Sequence, residues 1–83
     1  MTATVKIINR ERGMYAAQSD EGYVIFELMD GDEPAVGDVV RHADFTSMGS
    51  EDYRNTTQGV TISVYVQNLV GSLEQAKQQC FMG

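Results

Sequence analysis

Apolar and polar positions alternate with a period of two along most of this chain, which is the signature of strands with one face turned to a core. The clearest case lies at residues 60–67. Val60, Ile62, Val64 and Val66 fall on one face and Thr61, Ser63, Tyr65 and Gln67 on the other. Residues 23–28 repeat the pattern, with Val24, Phe26 and Leu28 facing a core and Tyr23, Ile25 and Glu27 facing out. Residues 2–9 are dominated by Thr, Val and Ile, and Ala3, Val5 and Ile7 alternate there with Thr4, Lys6 and Ile8. Residues 14–18 and 39–45 complete a set of five predicted strands. The turns between the first three end in Gly13 and Gly22, suited to backbone with positive φ.

The period changes once. Leu73, Ala76, Cys80 and Phe81 fall at helical spacing, and Ser72 with Gln75 three residues on forms a capping box. The spacing predicts a short C-terminal helix over residues 73–81. A helix of that length is marginal alone, so it must pack on the strands. Residues 46–59, TSMGSEDYRNTTQG, show no period and read as a long polar loop, either a binding loop or in part a ribbon.

With 83 residues the chain makes a single domain at residues 1–83 that buries roughly 60% of its unfolded surface. Five short strands in so small a domain favour a closed barrel, because closure removes exposed sheet edges. One cysteine excludes an internal disulfide, and no apolar run reaches membrane-spanning length. The opening residues read as a strand, not as a charged leader before an apolar core, so the expected location is cytoplasmic. Six basic against twelve acidic residues give a net charge of −6, which works against non-specific adhesion to phosphate backbones.

Several stretches then resemble a known family. Val5-Lys6-Ile7-Ile8-Asn9, Arg12-Gly13, Asp20-Glu21-Gly22, Val24-Ile25-Phe26 and Val36-Gly37-Asp38-Val39-Val40 are similar to the cold-shock domain. The resemblance covers roughly the first 45 residues, mostly in spacing and turn residues. It implies an all-β, five-stranded OB-like barrel, here with one short C-terminal α-helix, and a face that binds single-stranded nucleic acid. The base-stacking rings of that face are largely absent. Where the family carries tryptophan this chain has Ile7, where it carries two exposed phenylalanines Met14 and Ala16, and where it carries histidine Glu27. Stacking contributes about 1–3 kcal/mol per base, so the loss of several rings predicts weak binding at most.

What is left is an aliphatic patch with a charged rim. The candidate binding face comprises Lys6, Ile7, Arg10, Arg12, Met14, Tyr15, Tyr23, Ile25 and Glu27. Three uses of it stay open. The helix or the polar loop covers it; it contacts a protein partner or a second copy; or Lys6, Arg10 and Arg12 hold phosphates while Tyr15 or Tyr23 stacks on bases.

Catalytic chemistry finds little support. His42 is the single histidine and reads as a satisfied strand residue beside Arg41 and Asp44. Cys80 and His42 fall short of a zinc site, and Asp30-Gly31-Asp32-Glu33 opens like a calcium loop but has Pro34 at the third ligand position and no closing glutamate. The expectation is therefore a binding module, not an enzyme, with no cofactor and no metal.

Overall fold

The computed structural model describes residues 1–82. Among them the chain forms six strands and one helix: β1 (Thr2–Asn9), β2 (Met14–Ser19), β3 (Gly22–Asp30), β4 (Val39–Arg41), β5 (Gly49–Asn55), β6 (Val60–Val70) and α1 (Leu73–Phe81). Every neighbouring pair is antiparallel, and the sheet closes on itself in the order β1-β2-β3-β6-β5-β4. The mostly-β class, the closed barrel and the single short helix are as predicted, and the barrel is compatible with an OB-like fold. The strand count is not five but six.

The additional strand comes out of the polar stretch. β5 pairs along its whole length with β6, Gly49 opposite Val66 and Asn55 opposite Val60. Its inward positions are Glu51, Tyr53 and Asn55, so only Tyr53 supplies the apolar mark that period-two reading depends on. The fourth strand is correspondingly shorter than residues 39–45. After Arg41 the chain turns, and Phe45 enters the core from that turn, fully buried.

Phenyl and phenol rings fill the barrel. Tyr15 stacks on Phe26 at 5.5 Å between ring centres, while Tyr53 meets Phe26 edge-on at 5.3 Å and Phe45 edge-on at 5.4 Å. Val5, Val24, Val40, Ile62, Val64 and Val66 surround them. Offset and edge-on ring pairs add about 0.5–1.5 kcal/mol each beyond their burial. The Tyr53 hydroxyl meets no hydrogen-bond partner among the described residues, a cost that the packing of its ring must outweigh. Its burial, followed by the nearby Glu51 charge, pushes the phenol far above its usual range.

A polar tie holds the connection between β3 and β4 to the rest. The Asp38 carboxylate accepts from the Ala35 N–H at 3.0 Å, the Asn55 amide at 2.9 Å and the Gln58 amide at 2.7 Å. Asn55 is wholly buried and accepts in turn from the Gln58 N–H at 3.1 Å. Bonds to Ala35 first, then Asn55, then Gln58 hold the Asp38 carboxyl below the ordinary aspartate range, against the opposing effect of burial. The connection is stitched to β1 as well, through Val5 N to Asp38 O and Gly37 N to Val5 O, both 2.8 Å.

Gly22 shows why one turn demands glycine. At φ +136° it lies so close to β6 that a Cβ would stand 2.5 Å from the Val70 carbonyl oxygen.

Candidate functional site

β1 breaks its own alternation. Its register against β2 slips between Val5 and Ile7, so Lys6 is the extra residue of a bulge. Ala3 and Val5 point into the barrel, but Ile7 is thrown to the outer wall and Ile8 turns back toward the core cluster. The regular alternation expected for Ala3, Val5 and Ile7 therefore ends at Lys6. On β2 and β3 the same outer wall receives Met14, Ala16 and Ile25.

α1 lies across this wall. Ser72 caps it, its hydroxyl accepting from the Gln75 N–H at 3.2 Å, while the Gln75 side chain reaches back to the Gly71 N–H at 3.1 Å. At the other end the Asn9 side-chain amide donates to the Cys80 carbonyl at 2.9 Å, satisfying one of the helix's orphan acceptors. The helix offers only small side chains inward, Ala76 and Cys80, and these let it approach closely. Burial pushes the Cys80 thiol up to about 11 despite the opposing Arg12 charge.

The nine candidate residues thus separate into four groups. Ile7, Met14 and Ile25 are buried beneath α1, with 8%, 8% and 0% of their surface exposed, so the helix takes up the aliphatic patch. Tyr15 is not on the outer wall at all. It sits inside the barrel against Phe26, where burial, with a smaller contribution from Glu33, raises its phenol. Tyr23 is half-buried at the helix edge, and Glu27 is half-buried on β3, accepting from the Gln67 amide. Lys6, Arg10 and Arg12 are exposed; Arg10 and Arg12 share one hollow, with Arg10 2.6 Å from the Glu33 carboxylate.

These cations border a surface that alternation did not reveal. Ile8 of β1, Val36 of the β3–β4 connection and Phe81 of α1 form a continuous apolar floor shared by two adjoining hollows. Arg10 and Arg12 border one hollow; Lys6 and Lys77 border the other, with Met82 beside it. Val36 is 62% exposed, Phe81 53% and Met82 82%. Phe81 was expected on the packed stripe of the helix. One step beyond Cys80 it is rotated by about 100° from that side chain and falls at the helix rim instead. Val36 carried no mark in the sequence beyond its place between proline and glycine.

His42 is tied into the opposite part of the barrel. Its Nδ1 lies 2.9 Å from both the amide nitrogen and the carbonyl oxygen of Asp44, and its Nε2 lies 2.8 Å from the Glu51 carboxylate. Its ring also packs on Tyr53 at 5.2 Å. Among the described residues no three His, Cys, Asp or Glu side chains gather to hold a metal, and no helix is long and apolar enough to cross a membrane. No family model matches this chain, and no curated protein or solved structure does.

Proposed function

We propose that this protein is a non-catalytic, OB-like binding module that contacts a protein partner or a second copy of itself along the groove between β1, the β3–β4 connection and α1. The observation that carries this reading is the joint exposure of Val36, Phe81 and Met82 beside Ile8, large apolar side chains gathered along one groove. Grouped apolar exposure with a charged rim is the usual mark of a contact surface.

A second reading, weak binding of single-stranded nucleic acid, draws on the exposure of Lys6, Arg10 and Arg12. It has one ring in the groove, Phe81, with which to stack on bases. The test pairs wild type with the Val36→Asp/Phe81→Ser variant, both positions being solvent-facing. Light scattering over a concentration series and quantitative cross-linking capture should show association in wild type that the variant loses. Equal behaviour of the two proteins removes the groove from consideration. Strong movement of the Lys6 and Arg12 amides on adding oligo-dT at low salt would favour the second reading.

A further inference from the structure

Resting on that reading of the groove, we propose that its occupant is an acidic peptide segment carrying one large apolar side chain: the side chain seats on Ile8, Val36 and Phe81, and flanking carboxylates meet Lys6, Arg12 and Lys77. The distribution of charge points this way. Four of the chain's six cationic side chains border the two joined hollows, against two of its twelve acids, Glu11 and Glu74. A molecule of net charge −6 therefore keeps a local positive excess at its most exposed apolar surface. Arg10 is already engaged by Glu33, whereas Lys6, Arg12 and Lys77 make no ion pair among the described residues.

The arrangement selects among anionic ligands. Cations stand at both ends of one apolar floor, so a ligand must present an apolar group between acids, as an extended acidic peptide does. A polynucleotide would present phosphates to the cations but needs stacking surfaces, and the floor is two aliphatic residues and one ring. The hollow beside Lys6 and Lys77 has a volume of about 530 Å³, in the range that holds ligand groups, so a bulky anchor fits without rearranging the helix. The bulge at Lys6 has a use in this picture, because it turns the ammonium outward while Ile7 stays beneath α1.

Four probes test the proposal on the full chain: a short peptide with one Phe flanked by Asp and Glu, the same peptide with Lys for every acid, the same with Ser for Phe, and oligo-dT. Amide shifts are followed by NMR with wild type and with Arg12→Glu/Lys77→Glu, both exposed positions whose reversal leaves the packing untouched. The acidic Phe peptide should move Ile8, Val36 and Lys77. It should bind at least about tenfold more weakly to the variant, lose a similar factor without its Phe, and weaken from low salt to about 0.5 M. Equal or tighter binding of the Lys peptide at the same amides overturns the acidic partner and leaves the groove reading standing. Tighter binding of oligo-dT, or concentration-dependent shifts of the same amides with no probe added, overturns the peptide in favour of nucleic acid or a second copy. If no probe moves these amides and the Val36→Asp/Phe81→Ser variant still associates like wild type, both the inference and the reading beneath it fail.

Discussion

The two sides of the β1–β2–β3 wall are packed on different principles. Inside, Tyr15 and Phe26 interlock with Phe45 and Tyr53, four large rings whose edges and faces meet at 5.3 to 5.5 Å. Outside, the wall is covered by a nine-residue helix that commits only Ala76 and Cys80 to the contact. Ring packing loses many contacts at once when a single member is cut away. A cover seated on two small side chains gives up less of its own packing when it lifts, the main cost being the Ile7, Met14 and Ile25 surface it uncovers. The comparison predicts that the interior sets global stability while α1 opens as a local unit, which would make a surface built at the helix rim the adaptable part of the molecule.

The largest expected effect sharpens the interior half of this comparison. Phe26 is fully buried and touches two other rings, so Phe26→Ala should cost about 3–5 kcal/mol, a large share of the total for a domain of this size. Urea titration should show a much lower midpoint with little change in slope. A loss below about 1 kcal/mol would mean that the rings are not the keystone described here.

Next in size is the polar tie at the end of the barrel. Asp38→Ala leaves the Asn55 amide and the Ala35 N–H without this acceptor, while Gln58 keeps only its longer bond to the Glu33 carbonyl. The loss should cost about 1–3 kcal/mol. Because the folded state holds the Asp38 carboxyl below its unfolded value, this contribution is present above about pH 4 and disappears as pH falls through the lowered value. Asp44, held low mainly by its bonds from Thr46, acts in the same direction. Wild type should therefore lose stability faster than the variant on acidification below that point. Parallel acid profiles would show that the tie is neutral and that the interior rests on the rings alone.

The same contrast explains how far sequence alone could lead. β6 and β3 were legible because Val60 through Val66 and Val24 through Leu28 keep a clean two-residue period. α1 was legible from Ser72 and Gln75: the Ser72 hydroxyl caps the Gln75 N–H as the pattern implies, while the Gln75 side chain reaches the Gly71 N–H, one residue before the position a capping box uses. β5 was not, because two of its three inward positions are Glu51 and Asn55, polar residues satisfied by His42 and Asp38 from elsewhere in the chain. The bulge at Lys6 exchanged the roles of Ile7 and Ile8, and Tyr15 went to the interior because β2 sets it opposite Phe26. Of the candidate site, Lys6, Arg10 and Arg12 could be read from β1 and its turn, whereas Lys77, on α1, was not among the residues predicted. The apolar floor could not, since Ile8, Val36 and Phe81 are neighbours only after the barrel closes and the helix lies down.

The smallest effect is the most direct attempt to break the comparison. Ser72 caps α1 through one bond to the Gln75 N–H, and Ser72→Ala should weaken the helix by about 1 kcal/mol. Cys80 reports on that change, since its thiol is fully buried and held protonated, with a value pushed up to about 11. Reagent must wait for α1 to lift, so the rate of thiol labelling under native conditions follows the population of the opened helix. If the cover opens by itself, wild type should label far faster than its global stability permits and with little dependence on urea, and the variant should label about fivefold faster again. If instead labelling is as slow as global unfolding allows and steepens with urea by the full unfolding slope, helix and barrel unfold together. The wall would then be one cooperative structure on both sides, and the groove at its rim would be as rigid as the core.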